Sequence, residues 1–281
     1  MRRILIALLS LALITAACGG DEPEETTTTA PEAATTTTEP EATTSTTVAD
    51  TTTTVLAGPV SPLNGLPVDD ETLLDQRVMA VKIDNHPNAR PQSGIEQADA
   101  VWELLVEGGL TRFIALFHQT DVDYVGPIRS GRPTDPTLAA ITSDSIVISG
   151  AQDWIQSIIR SKGLKIIGEV RPGTFRVSHR SAPHNLYGDT VALRDHAAAI
   201  GVSDEGPDQP LFTWGPLEDA SAATEITFDW SGLQSPITWK YQGGQYLRFN
   251  GANAHTWTNR DRDVEEQIGA DTLVVLEARR Y

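Results

Sequence analysis

The chain has 281 residues, a single cysteine and a formal net charge of −17 at pH 7. So large an acidic excess repels nucleic acid and anionic membrane surfaces, so we expect neither as a partner. One cysteine allows no disulfide framework, so the folded part must be stabilised by a hydrophobic core.

The first residues are typical of an export signal. A basic start, Met1–Arg3, precedes an apolar run from Ile4 to Ala17, which is shorter than the ~20 residues of a membrane span. Thr15-Ala16-Ala17-Cys18 resembles a lipobox, with Thr15 in place of the usual Leu. We therefore predict a signal peptide at 1–17 and a lipid on Cys18, which would hold the protein at the outer face of the cytoplasmic membrane, on the cell surface. The alternative is an ordinary cleavage site beside an incidental thiol.

Residues 18–57 are predicted to form a disordered stalk. They are rich in Thr, Glu, Pro and Ala, carry eight carboxylates and contain no Lys or Arg. Such a segment has almost nothing to bury, and its like charges and prolines favour extended conformations. It is interpreted as a tether that lifts the folded part from the bilayer, and the alternative is a specific binding tail.

Apolar runs that alternate with polar clusters indicate an α/β or α+β domain at 62–201, with a mixed sheet and flanking helices. Residues 100–107 also fit a helix, but Gly108-Gly109 and a second β-type run follow them, which favours a hairpin. Strands are predicted at 78–84, 100–107, 111–117, 145–149 and 164–170. Helices are predicted at 93–98 with Ser93 as its cap, after Thr134 or Asp135, at 153–161, and at 189–200 with Gly201 as its C-cap.

A polar Asp/Gly/Pro linker is predicted at 202–210, followed by a smaller β-rich unit at 211–281. Its predicted strands are 224–230, 237–241, 245–250 and 271–278, with a hairpin turn at 242–244. The chain stops at Tyr281 without a turn or cap, and we expect this unit to be incomplete.

Four residues are catalytic candidates: Asp84, Glu103, Glu107 and His184. On one strand, Glu103 and Glu107 would lie ~13 Å apart, whereas paired glycosidase carboxylates need ~5–10 Å. The two glutamates therefore fail as a pair with each other, but one of them can still pair with Asp84 from a neighbouring strand. The structural alternative is a carboxylate bonded to Arg112, Arg129 or Arg132.

Arginines are numerous in the polar loops of so acidic a chain. Guanidinium forks suit carboxylates and phosphates, so the loops predict a site for an anionic cell-wall fragment such as a peptide carboxylate. Internal ion pairing explains the same residues equally well, since buried charges must be paired. The candidate ligand-binding residues are Asp84, Asn85, Arg90, Gln92, Arg112, Arg129, Ser130, Arg132, His184 and Asn185.

Other chemistries lack their signatures in this sequence. There is no G-x-S-x-G nucleophile elbow, and no H-E-x-x-H, C-x-x-C or phosphate-binding glycine pattern. Cysteine catalysis is excluded because Cys18 is the predicted anchor. We therefore expect no metal and no cofactor.

Six motifs in one order resemble the YerB-like lipoproteins, a bacterial family defined as a domain of unknown function. They are Ile83-Asp84-Asn85, Ala89-Arg90-Pro91-Gln92-Ser93-Gly94, Gln97-Ala98-Asp99, 106–113, 125–133 and Ala182-Pro183-His184-Asn185-Leu186-Tyr187. The resemblance covers residues 63 to about 201, and 228–281 resembles the start of the family's C-terminal part. It implies a two-part fold and a cell-envelope lipoprotein, but no activity.

Two hypotheses follow. The first is a non-enzymatic envelope protein that binds a cell-wall fragment, such as peptidoglycan, or another envelope protein. The second is a cell-wall hydrolase that uses Asp84, Glu103 or Glu107 with His184.

Overall fold

The computed structural model describes residues 58–214, 220–229, 232 and 235–277. These residues fall within one compact unit, Thr52–Tyr281. The predicted signal peptide, the Cys18 lipidation site and the stalk lie outside the described residues. Within the described ranges, no helix is long and apolar enough to cross a membrane.

A five-stranded mixed sheet forms the first part of the fold. Its strands are β1 (Met79–Asp84), β2 (Ala100–Leu105), β3 (Thr111–Phe117), β4 (Ser145–Val147) and β5 (Lys165–Ile167). The spatial order is β2-β3-β1-β4-β5. β3 is antiparallel to both β1 and β2, whereas β1, β4 and β5 are parallel. The predicted mixed α/β fold and the β2–β3 hairpin are confirmed.

The central strands are apolar because both faces of the sheet are covered. Every residue of β1 and β3 is buried. Val81 and Phe113 belong to one core cluster, whereas Ala80 and Ile114 belong to the other. This alternation is the two-residue period of a strand.

Three helices flank this sheet: α1 (Asp135–Ala139), α2 (Asp153–Ser161) and α3 (Thr190–Ala199). α2 has the bounds that the sequence predicts, and α3 is one residue shorter at each end. Buried residues of α2 join one core cluster and those of α3 join the other, so these two helices cover opposite faces. Asp189 caps α3 by accepting a hydrogen bond from N of Ala192.

Two predicted helix ends are wrong. Ser93 does not cap a helix, because its backbone is held extended by reciprocal hydrogen bonds to Gly126. Only the short 3₁₀ turn Ile95–Gln97 follows it. At the end of α3 the C-cap is Ile200, and Gly201 comes after it with a φ of +75°, a conformation that glycine adopts without strain.

The remaining strands are short and antiparallel. β6 (Thr174–Arg176) pairs with β7 (Leu186–Gly188), a ribbon that the sequence pattern does not predict. The β-rich unit contains β8 (Glu225–Phe228), β9 (Ile237–Gln242), β10 (Gln245–Asn250), β11 (Asn253–Ala254), β12 (Thr256–Thr258), β13 (Glu265–Gln267) and β14 (Gly269–Ala270). Its main sheet has the order β11-β10-β9-β8, and β14 also pairs with β10.

The β9–β10 hairpin is confirmed and the last predicted strand is wrong. Gly243 and Gly244 turn the hairpin with φ values of +62° and +95°, which favour glycine. Residues 271–277 form no strand, and Val274, Val275 and Leu276 are 48%, 50% and 60% exposed. An apolar run becomes a strand only when a neighbouring strand is available to pair with it.

The β-rich unit packs against the α/β domain on the face that α3 also covers. Ile268 belongs to the same core cluster as Val81, and Trp239 and Trp257 pack against that cluster. N of Thr258 donates a hydrogen bond to O of Gln92 at 2.8 Å. This contact places the β-rich unit beside the polar loop that follows β1.

Candidate functional site

Polar side chains collect at one edge of the five-stranded sheet. β1, β2, β4 and β5 end at this edge and antiparallel β3 begins there, so Asp84 at the end of β1 lies opposite Arg112 at the start of β3. The β2–β3 turn and the loops after Ile128 and Val147 reach the same edge. The carboxyl ends of parallel strands are where α/β sheets bind ligands.

Asp84 is the centre of this cluster. It is 2% exposed. Its Oδ1 accepts a hydrogen bond from N of His86 at 3.1 Å. Its Oδ2 lies 2.7 Å from Nδ1 of His184 and 3.2 Å from Nε of Arg129. One buried carboxylate therefore joins three segments of the chain.

His184 is held in one orientation by Asp84 and by a ring stack. Its ring lies 4.8 Å from the ring of His86, with 20° between the two planes. The contact with Asp84 requires a hydrogen on Nδ1, which leaves Nε2 turned away from the carboxylate. Within the described ranges Nε2 has no hydrogen-bond partner, and the side chain is 14% exposed.

Arg129 is fixed by its backbone while its guanidinium is open. Its N donates to O of Lys82 at 2.9 Å, and its O accepts from N of Ser149 at 3.1 Å. The guanidinium is 23% exposed. Its Nε forms the ion pair with Asp84 without a directed hydrogen bond, and its two terminal nitrogens have no partner in the part of the chain that the structure describes.

Glu107 is bound by two arginines on the other side of the cluster. Arg132 binds both of its oxygens, with Nε 2.6 Å from Oε2 and Nη2 in contact with Oε1. Nη2 of Arg112 lies 3.4 Å from Oε1. The fork from Arg132 lowers the pKa of Glu107 to about 2. Burial, and next the charge of Arg132, lower the pKa of Arg112 to about 10.

The loop that carries Ser130 and Arg132 is anchored by a buried ion pair. Oδ1 of Asp135 lies 2.6 Å from Nζ of Lys82, with both side chains fully buried, and its Oδ2 accepts from N of Arg132 at 2.7 Å. Burial lowers the pKa of Lys82 to about 8 against the opposing effect of Asp135. Thr134 occupies the N-cap of α1 without a side-chain cap bond, and Asp135 is the first residue of that helix.

The hydroxyl of Ser130 is available at the same edge. Its Oγ lies 3.4 Å from Oγ of Ser149, and both side chains are partly exposed. Its carbonyl accepts a hydrogen bond from Nη1 of Arg112 at 2.8 Å. Ser130 is therefore positioned by its backbone and follows Arg129 directly in the chain.

A second, buried network adjoins this cluster. Oδ1 of Asn85 accepts from Nε of Arg90 at 2.9 Å and from Nε2 of Gln92 at 3.2 Å, and its Nδ2 donates to Oγ1 of Thr111 at 2.7 Å. Thr111 donates in turn to Oε1 of Glu103 at 2.6 Å. Asn85, Gln92 and Thr111 are at most 3% exposed, so their polar groups hold the structure together.

Arg248 and His255 complete the second network from the β-rich unit. Arg248 is 0% exposed and forks onto Glu103, with Nη2 2.5 Å from Oε1 and Nε 3.2 Å from Oε2. Nδ1 of His255 accepts from Nη1 of Arg248, and its Nε2 donates to Oε1 of Gln92 at 2.7 Å. Burial, Arg248 and Arg90 lower the pKa of His255, so this ring is neutral.

The structure places the predicted site residues in two neighbouring clusters, with one residue in neither. The sheet-edge cluster contains Asp84, Glu107, Arg112, Arg129, Ser130, Arg132 and His184, and the adjoining network contains Asn85, Arg90, Gln92 and Glu103. Asn185 lies elsewhere, with its Oδ1 accepting from Arg176 at 2.7 Å. Glu103 and Glu107 bind different arginines, and neither contacts Asp84 among the described residues.

Sequence reasoning missed Arg248, His255 and Thr111. Arg248 stands between Leu247 and Phe249 in the middle of a strand. A charged residue in such a position is a usable signal, because a buried charge must find a partner. Nothing in the sequence identifies Glu103 as that partner. Among the described residues, no group of three His, Cys, Asp or Glu side chains is arranged to hold a metal.

Fold and site together define an α/β protein with a charged cluster at the carboxyl edge of its sheet. The chain belongs to the family described as "Protein of unknown function (DUF3048) N-terminal domain", whose model matches residues 63–203. It is 27% identical over 235 residues to the Bacillus subtilis (strain 168) protein named "Putative lipoprotein YerB", a match that covers 79% of this chain and 68% of the relative.

The fold is also similar to a solved structure. The crystal structure of YerB protein from Bacillus subtilis matches with a TM-score of 0.61 and 24% identity, over 75% of this chain and 72% of that one. This match supports the mixed sheet with helices and the second, antiparallel β-rich unit.

Proposed function

We propose that this protein is a lipid-anchored envelope protein that binds an anionic group of a cell-wall fragment at Arg129, with His184 beside it. The anchor is supported by the lipobox-like sequence before Cys18 and by the name of the Bacillus subtilis relative. A tether at 18–57 would place the binding domain within the wall layer outside the membrane.

The observation that carries this proposal is the open guanidinium of Arg129. Two terminal nitrogens of a partly buried arginine have no acceptor among the described residues, although the chain carries 38 acidic side chains. A guanidinium fork binds a carboxylate through two parallel hydrogen bonds. A bound carboxylate would supply the acceptors that the described residues do not.

The charge balance of the sheet edge favours an anion for the same reason. Among the described residues, the guanidinium groups of Arg112, Arg129 and Arg132 pair with two carboxylates, Asp84 and Glu107, while Asp135 is balanced by Lys82. An anionic ligand would neutralise the excess in a partly buried region where charge is poorly screened. The hydroxyl of Ser130 would donate a further hydrogen bond to the anion, whereas Nε2 of His184, which carries no hydrogen in the neutral ring, would accept one from an N–H or O–H of the fragment.

A second candidate function, hydrolysis, is favoured by the contact between Asp84 and His184. A buried carboxylate on Nδ1 with Nε2 left open is the arrangement by which a histidine is prepared to act as a general base. No serine hydroxyl bonds to His184 within the described ranges. The nucleophile would therefore be a water molecule that Nε2 deprotonates as it attacks the carbonyl carbon of an amide. The imidazolium would then return that proton to the leaving amine as the C–N bond breaks, which gives a carboxylic acid and a free amine.

One experiment separates the two candidates. The full-length protein with Cys18→Ala, which removes the lipid, is mixed with purified peptidoglycan fragments that have free carboxylates, and binding is followed by calorimetry while products are followed by mass spectrometry. We expect binding that disappears when the carboxylates are amidated, with no new products. Products that vanish in His184→Gln would make hydrolysis the function, and the absence of both signals would contradict both candidates.

A further inference from the structure

A second opening lies on the other side of the residues that follow β1. It is an open crevice with a cavity volume of about 50 Å³, and it is formed by the turn after Asn85, the β2–β3 turn and the ends of β9 and β10. Its lining residues are Pro87, Arg90, Gly109, Leu110, Thr111, Ser235, Ile237 and Asn250. We propose that this crevice is a separate binding site for a small organic carboxylate with an apolar substituent.

Arg90 supplies the charge of this site. Two of its nitrogens are used by one residue, because Nε donates to Oδ1 and Nη2 donates to O of Asn85, both at 2.9 Å. These bonds fix the plane of the guanidinium against the end of β1. Its third nitrogen, Nη1, has no hydrogen-bond partner in the described part of the chain and belongs to a residue that lines the crevice.

No carboxylate among the described residues forms an ion pair with Arg90, although the charges of Glu103 and Asp84 act on it from a longer distance. Glu103, the acidic residue of the adjoining network, is already bound by Arg248 and Thr111. The carboxylate of Asp84 contacts His184 and Arg129, and only its charge acts on Arg90. Half-buried arginines are stabilised by an anionic partner, and the position beside Nη1 is where such a partner is missing among the described residues.

The other lining groups indicate which anion fits. Oδ1 of Asn250 accepts from Arg248 at 2.9 Å, which leaves its Nδ2 as a donor, and Ser235 adds an exposed hydroxyl. Leu110, Ile237 and Pro87 provide apolar walls. A carboxylate with a small apolar side chain matches both halves of this lining, whereas inorganic phosphate would leave the apolar half without a partner.

The probe for this site is N-acetylalanine, with its neutral amide as the matched control. Titration of the full-length Cys18→Ala protein, followed by NMR shifts of the backbone amides of Gly109 and Leu110, should show saturable binding at about millimolar affinity. The amide should cause no saturable shift. Arg90→Gln should weaken binding by about tenfold or more, because it removes a charge-assisted hydrogen bond.

Two further variants keep the test decisive. Leu110 lies outside the buried network, and Leu110→Glu should also weaken binding because it places a negative charge in the crevice. This variant tests the site even if Arg90→Gln fails to fold. Arg129→Gln should leave this binding unchanged, which separates the crevice from the site proposed above. Equal shifts with the amide, full binding by Leu110→Glu, or displacement of the probe by inorganic phosphate would overturn the assignment.

Discussion

Nδ1 of His184 lies 2.7 Å from Oδ2 of Asp84, although one hundred residues separate them in the chain. The same oxygen is paired with Arg129. Asp84 therefore determines where both proposed ligand-binding side chains stand. Loss of its charge should affect the stability of the loops that carry them.

We predict that Asp84→Asn lowers the free energy of unfolding by about 2 kcal/mol, the usual cost of losing hydrogen bonds to a charged group. Urea unfolding of the variant and the parent protein measures it. Asp153→Asn makes the same chemical change at an exposed position at the start of α2 and should cost much less. Equal losses in the two variants would contradict a central role for Asp84.

Removal of the buried Arg248 should lower the free energy of unfolding by more than Asp84→Asn does. We predict that Arg248→Met costs about 3–5 kcal/mol, because it leaves the carboxylate of Glu103 partly buried without its partner. Adding Glu103→Gln should recover part of the loss. The exposed pair Arg176–Glu169 provides the control, since Arg176→Met should cost about 1 kcal/mol or less. A double variant whose loss equals the sum of the single losses would show that the pair is not coupled.

The neutral ring of His255 predicts a dependence of stability on pH. Its pKa is lowered in the folded protein, so below about pH 6.5 the unfolded chain binds a proton that the folded protein excludes. Stability should therefore fall as the pH drops from 6.5 to 5, at up to about 1.4 kcal/mol per pH unit from this residue. Unfolding curves across this range measure the slope.

The control for this prediction is a pair of histidine variants. His255→Gln should reduce the slope, because glutamine can occupy the same position between Arg248 and Gln92 without titrating. His196→Gln, a partly exposed residue of α3, should leave the slope unchanged. A slope that is unaffected by His255→Gln would mean that other groups cause the acid sensitivity.

The sequence predicts elements well where local pattern and packing agree. The mostly apolar runs of β1 and β3 become buried strands, and α2 has its predicted bounds. The strand expected at 271–278 fails because its existence depends on a neighbour that the local pattern does not reveal. Strands of two or three residues, such as β11 and β14, carry too little periodicity to be recognised.

The candidate site, like the fold, could be predicted only in part. Polar residues at the ends of apolar runs indicate the sheet edge, and Asp84, Arg129 and His184 do meet there. Which charges pair is a tertiary property, because Glu103 and Arg248 are 145 residues apart and several other arginines were equally available. For the same reason the sequence does not show that Arg90 lines the crevice whereas Arg129 pairs with Asp84.

The most direct test of the account is the affinity of carboxylate-bearing peptidoglycan fragments for Arg129→Gln, measured beside Arg160→Gln. Arg160 is an exposed arginine of α2 whose side chain bonds only to Gln156 among the described residues. Both variants therefore remove one positive charge. We predict that Arg129→Gln binds about tenfold more weakly or worse, while Arg160→Gln binds like the parent protein. Unchanged affinity in Arg129→Gln, or an equal loss in both variants, would contradict a specific anion site at Arg129.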